Sequence, residues 1–446
     1  MSAHRKHGLL KFCWWTTLAL PVIFGLMILS VSSSGPAEPP PPTSVPFYFR
    51  GFNGVNNNFG GGWARTLGVG WERIPFSWGQ VEPQKGHWDW STTDKIAQAA
   101  LSGNFTVLPD LGYTAPWAKS ATLNIFAPPT NVADWMEFVN QVVSRYSAAP
   151  YNIRYFQVWN EPTLQAKFWR GNSNMSFIDQ VYLPAAKVIR QHHCYVVFGG
   201  WPDGNSLQEF SSELSHNNAW QWTDILDVHY LNAWAWRSLY NNWIKNGKCK
   251  GVWQTEVGFS SAPNALPLLY LPSLAFALST GVNNPDEFKL FWYAGPGSGP
   301  DANNCIISTN PHGGALTQHG VRLKVLNELL GTGPLSSYTQ FSAQPGLSYE
   351  SLNGSNSAYG FQVGENRSVV ALILNKAHFA SVSVVNVALT LSRRPTSISM
   401  VAVTGQRQTP KSQFTGNQLR VQVPVKALGS DCPTCANTVG YIEADY

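Results

Sequence analysis

Charge is scarce in this sequence. Only 12% of its 446 residues are Asp, Glu, Lys or Arg, about half of the roughly 25% found in an average soluble protein. The formal net charge is +5, but Arg5, Lys6 and Lys11 supply three of these charges ahead of a hydrophobic segment. Elsewhere the sequence has no stripe rich in Lys and Arg, which argues against a nucleic-acid partner.

Metal-binding motifs are also missing. The 10 His residues show no ligand-like spacing. Cys432-Pro-Thr-Cys435 has the spacing of some metal and redox motifs, but it has no second Cys pair and no clustered His beside it. We therefore predict neither a metal ion nor a cofactor, and we expect Cys432 and Cys435 to form a local surface disulfide, which an oxidising compartment permits.

The N-terminus carries a long uncharged segment. Residues 12–31 contain no charge, follow a basic stretch and precede the Pro-rich residues 35–46. Their length fits either a cleaved export signal or a retained membrane anchor. We assign residues 1–34 to this signal or anchor and residues 35–46 to a linker. We therefore predict an exported protein, secreted or periplasmic, with membrane attachment through residues 12–31 if they are retained.

Segments typical of strands and helices alternate after the linker. Eight short runs rich in β-branched and aromatic residues are candidate strands: 47–52, 69–78, 105–111, 153–161, 195–201, 225–230, 251–257 and 288–293. Apolar residues three or four apart indicate helices between several of them: 93–102, 132–146, 176–191, 266–280 and 320–330. Strands interleaved with helices predict an α/β fold, a (β/α)8 TIM barrel over residues 47–332.

The helical period disappears from about residue 336. Short β-like runs separated by Gly, Asn and Pro follow: 369–374, 380–391, 397–403 and 419–425. They predict an antiparallel β-sandwich over residues 336–446. We expect this second domain to cover the barrel rather than to bind sugar.

Two acidic motifs stand where predicted strands end. Trp-Asn-Glu161-Pro closes the fourth strand and Gln-Thr-Glu256-Val-Gly closes the seventh. Side chains at the C-terminal strand ends of a barrel converge on one mouth. Two carboxyls facing each other there could protonate a glycosidic oxygen and attack the anomeric carbon, and a separation of roughly 5–5.5 Å would predict retention of configuration.

These motifs resemble those of the large barrel clan, clan A, of retaining glycoside hydrolases. Residues 81–90, with Glu-Pro followed by Gly and Trp-Asp-Trp, residues 111–118, and Arg145-Tyr146 are most similar to family 39, with family 5 next. A barrel followed by a sandwich also fits families 30 and 51. The resemblance implies a carbohydrate substrate, with Glu161 as acid/base and Glu256 as nucleophile.

The resemblance implies further site residues. Arg73 matches an Arg that hydrogen-bonds the nucleophile, and Asn160 matches an Asn that contacts the sugar 2-hydroxyl. Strict alternation would turn Asn160 away from Glu161, so its role requires the strand to twist or end there. The family usually has His-x-Tyr after strand six, whereas His229 and Tyr230 are adjacent here. Trp292 matches the Trp that floors the sugar site.

Aromatic residues in or near the predicted βα loops have two interpretations, because their flat rings suit both sugar stacking and simple packing. They are Trp117, Trp169, Trp201, Trp234 and Trp236. Trp117 is the one that we include among the predicted substrate-binding residues.

Two function classes remain open. The favoured one is a retaining exo- or endo-glycosidase acting on an oligosaccharide or a plant or microbial polysaccharide. The alternative is a catalytically inactive carbohydrate-binding or surface-attachment protein on the same barrel. The presence of Glu161, Glu256 and Arg73 together favours the enzyme, since a degenerate site would be expected to lose at least one of them.

Overall fold

A computed structural model describes residues 46–56, 61–202, 206–258, 260–281, 284–293, 295–297, 304–308, 314–344, 347, 356–428, 432 and 434–446. The predicted export segment and nearly all of the Pro-rich linker lie outside these ranges. Among the described residues, no helix has both the length and the apolar character needed to cross a bilayer.

Eight parallel strands close into a barrel in chain order, with β1 paired to β8. They are β1 Asn53–Asn56, β2 Trp71–Ser77, β3 Thr106–Gly112, β4 Tyr155–Val158, β5 Tyr195–Val197, β6 Ile225–His229, β7 Gly251–Gly258 and β8 Phe288–Tyr293. The predicted (β/α)8 barrel is therefore confirmed.

Helices lie between the strands and after β8. The α-helices are α1 Phe49–Phe52, α2 Gly61–Ala64, α3 Trp78–Val81, α4 Ser91–Gly103, α5 Val132–Ser147, α6 Asn174–Phe177, α7 Leu183–Gln191, α8 Leu207–Ser215, α9 Ala233–Leu239, α10 Ala265–Ser279 and α11 Gln318–Leu330. π-helical turns cover Ile178–Tyr182 and Tyr240–Ile244, and 3-10 turns cover His216–Trp222 and Val425–Ala427.

The predicted first strand, residues 47–52, is wrong. Phe49–Phe52 form helix α1, with Phe49 and Phe52 fully buried on one side, a spacing of three that suits a helix. The strand comes next and contains two buried Asn residues, a type that is rare in strands. Asn53 fits because its amide donates to two carbonyls and its oxygen accepts from the Tyr270 hydroxyl at 2.9 Å.

The predicted helix over residues 176–191 is interrupted. It begins as α6, where Ser173 caps the first turn, widens into a π turn, and continues as α7 with Pro184 in its first turn. Pro has no N–H to donate to the preceding turn, so the regular hydrogen-bond ladder cannot run through this point.

Side chains inside the lower part of the barrel form an apolar cluster. Its members come from seven strands: Trp71, Leu108, Tyr155, Tyr195, Val197, Ile225, Trp253 and Phe291. The ring centroids of Trp71 and Trp253 lie 5.3 Å apart in an edge-to-face arrangement. The barrel is therefore closed by packing at this end, which leaves the carboxyl ends of the strands as the place for a site.

The C-terminal part is an antiparallel β-sandwich, as predicted. Its six-stranded sheet runs in the order β12, β14, β15, β21, β17, β18, and its four-stranded sheet in the order β13, β16, β20, β19. The strands are β12 Leu335–Ser337, β13 Phe341–Ala343, β14 Ser357–Val363, β15 Arg367–Asn375, β16 Val384–Thr390, β17 Ser397–Ala402, β18 Arg407–Gln408, β19 Lys411–Thr415, β20 Gln418–Pro424 and β21 Asn437–Asp445. A small sheet, β9 Pro296–Gly297, β10 Ile307–Ser308 and β11 Ala315–Leu316, precedes them.

Strand β15 shows how the sandwich attaches to the barrel. Val369, Ala371 and Ile373 belong to the barrel's hydrophobic cluster, whereas alternate residues such as Val370 and Leu372 belong to the sandwich core. Because both faces of the strand are covered, its sequence is a continuous apolar run. The expectation that the sandwich covers the barrel agrees with this packing.

The predicted disulfide is present between Cys432 and Cys435. We predicted a surface bond, but Cys432 is only 4% exposed and Cys435 is half-buried, so the bond lies partly beneath the surface. The other described cysteines, Cys194, Cys249 and Cys305, are buried.

Candidate active site

The loop after β4 brings two neighbouring residues to one side. Strand β4 ends at Val158, three residues earlier than predicted, and Trp159 and Glu161 adopt left-handed backbone angles, φ 70° and 45°. Both Asn160 and Glu161 consequently line the same cavity. The conflict with strict alternation disappears because the strand has already ended.

An irregularity in β7 has a similar effect on Glu256. The pairing register shifts against β6 between Trp253 and Glu256 and against β8 between Gln254 and Val257, so β7 contains one extra residue there. Such a bulge re-aims side chains. Thr255 and Glu256, though adjacent, both contact groups at the barrel mouth, namely His229 and Arg73 respectively.

Glu256 receives a hydrogen bond on each carboxylate oxygen. Arg73 Nη1 donates to Oε2 at 3.2 Å, and the Tyr230 hydroxyl donates to Oε1. Tyr230 can reach this position because its backbone is left-handed, φ 56°. Two donors, one of them charged, favour the ionised carboxylate. Although His229 and Tyr230 are adjacent in the sequence, the Tyr230 hydroxyl thus still reaches the carboxylate of Glu256.

Arg73 connects several strands at the mouth. Its Nη2 donates to Asn160 Oδ1 at 2.6 Å and to Asp110 Oδ2 at 3.1 Å, and its Nε donates to Gln157 at 2.7 Å. Burial alone would lower the pKa of Arg73, but Asp110 and Glu256 outweigh this effect and raise it. Arg73 therefore stays charged and holds the acidic groups in place.

Glu161 is paired with His229. Nδ1 of His229 lies 3.0 Å from Glu161 Oε1 and 3.8 Å from Glu256 Oε2. One carboxylate oxygen of each Glu and one ring nitrogen of His229 all lie within 4.8 Å of one another. The two carboxyls that the sequence places 95 residues apart thus face each other across a few ångströms.

This trio is the one place among the described residues where three such groups are close enough to share a metal ion. A hydrogen bond explains the close approach without a metal ion, because 3.0 Å between His229 Nδ1 and Glu161 Oε1 is an ordinary hydrogen-bond distance.

His229 carries a raised pKa. Burial alone would lower the pKa, but the carboxylates of Asp227, Glu161 and Glu256 raise it to about 9. The ring is therefore protonated at neutral pH and donates from both nitrogens, from Nδ1 to Glu161 and from Nε2 to the Thr255 hydroxyl at 3.1 Å.

A buried polar chain supports these residues and was not predicted as part of the site. Asp227 Oδ2 accepts from the Thr255 hydroxyl at 2.6 Å and from Gln157 at 2.9 Å, and Gln157 in turn accepts from Arg73. One sequence signal could have revealed this chain. On a buried strand, a polar residue two positions before a site residue points to the same side, as Asp227 does before His229.

A cavity of about 320 Å³ opens above these groups. Five of the eight predicted site residues line it: Arg73, Asn160, Glu161, Tyr230 and Glu256. The other described lining residues are Pro75, Ser77, Asp110, Gly112, Tyr113, Phe168 and Tyr293. None of these seven residues was predicted as part of the site.

Three predicted substrate-binding residues, His229, Trp117 and Trp292, are not among the described lining residues. Trp292 is fully buried, with its indole N–H donating to the Asn304 carbonyl at 2.9 Å. Trp117 is half-buried and donates to the Glu82 carbonyl at 2.8 Å. Among the other candidate platforms, Trp169, Trp201 and Trp236 are buried, and Trp234 is 60% exposed.

No protein-family model and no curated protein matches this sequence. Solved structures do match the fold. A family 39 glycoside hydrolase from Bacteroides cellulosilyticus WH2 superposes with a TM-score of 0.61 at 11% identity, over 88% of this chain and 81% of that chain. A family 30 endoxylanase from Clostridium papyrosolvens C71 gives 0.57 at 12% identity, over 91% and 98%. A family 39 β-xylosidase from Caulobacter crescentus gives 0.55 at 15% identity, over 91% and 98%.

These identities are too low to carry a substrate or a residue role across. They establish that the chain shares its fold with these solved structures.

Proposed function

We propose that the protein is a retaining glycosidase that hydrolyses O-glycosidic bonds of an oligosaccharide or polysaccharide by double displacement. The observation that carries this proposal is the short distance between Glu161 and Glu256, whose facing oxygens lie within 4.8 Å. Retaining enzymes hold their two carboxyls roughly 5–5.5 Å apart, whereas inverting enzymes need roughly 6.5–9.5 Å to admit a water molecule between them and the sugar.

Glu256 is the nucleophile in this mechanism. Arg73 and Tyr230 donate to its two oxygens and keep it ionised. A bond forms between one of these oxygens and the anomeric carbon while the glycosidic bond breaks, which gives a covalent glycosyl ester.

Glu161 is the acid/base. In the first step its proton passes to the departing glycosidic oxygen, so that the leaving group departs as an alcohol. In the second step it accepts a proton from water, whose oxygen bonds to the anomeric carbon and releases Glu256 as a carboxylate. His229 orients Glu161 throughout through the 3.0 Å hydrogen bond.

Isosteric substitutions test these roles. Glu256→Gln should abolish turnover of aryl glycosides, and Glu161→Gln should lower it by about 10²–10⁴-fold. Glu137 is exposed on α5, so Glu137→Gln is the matched control and should behave as the parent. Turnover by both active-site variants equal to that of the parent would overturn the enzymatic proposal in favour of a binding protein.

Azide separates the two roles. Glu161→Ala leaves space beside the glycosyl ester, and azide needs no base to attack it, so azide should restore turnover and give a glycosyl azide of retained configuration. Rescue of Glu256→Ala instead, with inverted product, would reverse the assignment.

We also propose that the protein is exported by residues 12–31. The support is their composition and the oxidised Cys432–Cys435 pair, which oxidising compartments maintain. Fractionation followed by N-terminal sequencing tests this proposal, and recovery of the intact chain in the cytoplasmic fraction would contradict it.

A further inference from the structure

Acidic groups dominate the charge of the cavity. Asp110, Glu161 and Glu256 line it, and Arg73 is the one Lys or Arg among the described lining residues. Four of the five N–H donors of Arg73 are engaged by the protein. Little of its hydrogen-bonding capacity is left for an anionic ligand.

The remaining segments of the chain supply no further cation of this kind. From residue 57 onward, the stretches outside the described ranges contain no Lys and no Arg. Every Lys and Arg beyond the N-terminal 45 residues is therefore a described residue, and of these Arg73 alone lines the cavity.

Asp110 is the carboxylate whose place in the proposed mechanism is not yet explained. It lies on β3, is 6% exposed, and is bound on Oδ2 by Arg73 at 3.1 Å. Its Oδ1 is buried and has no hydrogen-bond partner among the described residues. Burial raises the pKa of the Asp110 carboxyl, and the Arg73 guanidinium opposes this shift. A buried carboxylate oxygen without a donor is costly, and a second anion placed beside it would raise that cost.

The other polar lining groups are uncharged. Ser77, Tyr113, Tyr230 and Tyr293 carry hydroxyls, and Asn160 carries an amide. Burial raises the pKa of Tyr113 and of Tyr230, and nearby carboxylates raise it further, so both phenols stay neutral. Hydroxyls and amides match the donors and acceptors of a neutral sugar ring.

We propose that this cavity accepts neutral glycosides and rejects uronides, and that Asp110 is the residue that enforces this choice. The inference rests on the proposed glycosidase function and narrows its substrate class. The carboxylate of Asp110 disfavours a sugar that carries its own carboxylate. The cations at this site, Arg73 and the protonated His229, are already hydrogen-bonded within the protein and are not available to compensate a second anion.

A matched substrate pair tests the proposal. 4-Nitrophenyl glucoside and 4-nitrophenyl glucuronide, in both anomeric forms, differ only at the sugar C6, and xyloside, mannoside and galactoside extend the neutral series. Neutral and acidic polysaccharides, xylan and mannan against pectate and alginate, cover endo-acting cleavage. Glu256→Gln serves as the inactive reference in every assay.

The outcomes separate the two proposals. Hydrolysis of neutral substrates with little or none of uronides supports both. Hydrolysis of uronides as fast as or faster than neutral substrates overturns the substrate assignment and leaves the glycosidase function standing. Hydrolysis of none of them contradicts the glycosidase function itself.

Asp110→Asn then tests the residue. Asn keeps the size of Asp and an oxygen for Arg73 but removes the charge, so the preference in kcat/KM for neutral substrate over uronide, or for xylan over pectate, should fall by at least about tenfold. Asp286→Asn removes a half-buried charge at the other end of the barrel and should leave the ratio unchanged. An unchanged ratio in Asp110→Asn, in a variant that retains the parent's Tm and measurable turnover, would overturn the role of Asp110. If Asp110→Asn does not fold, Asp110→Ser provides the same comparison.

Discussion

A Lys or Arg side chain is buried at each end of the barrel, and the pKa values of the two are shifted in opposite directions. At the mouth, Arg73 is surrounded by carboxylates and amides, and its pKa is raised. At the floor, Nζ of Lys289 lies 4.2 Å from the ring centroid of Trp71 and 5.2 Å from that of Trp253, with Asp286 at 2.7 Å. Burial lowers the pKa of Lys289, and Asp286 offsets this only in part.

Both cations lie within the same ring of strands, so the difference comes from their neighbours. The floor places aromatic rings around its cation, which stabilise it by packing and cation–π contact. The mouth places oxygen acceptors around its cation and thereby fixes the positions of acidic side chains. The floor contributes stability, and the mouth arranges groups that can react.

Removal of each cation should give the largest difference in stability and turnover between the two ends of the barrel. Arg73→Met leaves Asp110 and Glu256 buried without their partner, which should cost about 3–5 kcal/mol of unfolding free energy and reduce turnover by at least about a hundredfold. Lys289→Met should retain turnover and lose less stability, because the Asp286 side chain is 22% exposed and water can solvate it. Urea unfolding and aryl-glycoside assays measure both, and equal losses of activity would contradict the division between mouth and floor.

His229 should make the unfolding free energy of the protein depend on pH. A pKa raised from 6.5 to about 9 means that the folded state binds a proton more tightly than the unfolded state. The stabilisation, roughly 3 kcal/mol, is fully present below about pH 6.5 and is lost as the pH rises through about 9.

Unfolding free energies of the parent and of His229→Gln, measured from pH 6 to 10, check this prediction. The gap between the two proteins should shrink across that range. His87 is exposed, so His87→Gln provides a control whose gap from the parent should stay constant. A His229→Gln gap that does not depend on pH would contradict the protonated state.

Two tyrosines that hydrogen-bond carboxylates sharpen the comparison further. Tyr230 donates to Glu256 at the mouth, and Tyr155 donates to Asp286 at the floor at 2.8 Å. A hydrogen bond to a charged group contributes about 1.5–3 kcal/mol. Tyr230→Phe should therefore lower kcat by about 10–100-fold, whereas Tyr155→Phe should lower stability without changing kcat. A comparable fall in kcat for both variants would contradict the contrast.

Two glycines with left-handed backbones give the smallest expected effect. A Cβ at Gly200, φ +72°, would lie 2.2 Å from Nε2 of His229, whereas a Cβ at Gly247, φ +74°, would meet nothing within 4 Å. Both Ala variants carry the same backbone strain, so the difference between their unfolding free energies reports the steric clash with His229. Gly200→Ala should lose about 1–3 kcal/mol more stability than Gly247→Ala and should also lose activity. Equal thermal stability and turnover in the two variants would contradict this account.

Much of the fold was readable from the sequence because periodicity reports which faces are buried. Seven of the eight barrel strands and the main helices were predicted within a few residues, since their apolar spacing is regular. The first strand was missed because its buried residues are Asn rather than Val or Ile. In the sandwich, Ser357–Val363 and Asn437–Asp445 were missed, because their polar and small residues weaken the strand pattern.

The two facing carboxyls, Glu161 and Glu256, could also be predicted from the sequence. A Glu at the carboxyl end of a barrel strand can only point towards the mouth or towards the helices. The sequence could not decide which neighbours would join them. Left-handed backbones at Trp159 and Tyr230 and the extra residue in β7 bring adjacent side chains to one side, and these depend on how the loops pack.

The amino-acid order thus determined that the chain alternates strands and helices and that two acids lie at strand ends, because both are local properties of spacing and residue type. The three-dimensional packing alone decided that one arginine would join four strands, that the histidine would be protonated, and that an aspartate without an assigned role would stand beside the cavity. These depend on distances between residues far apart along the chain, for which no local pattern is a guide.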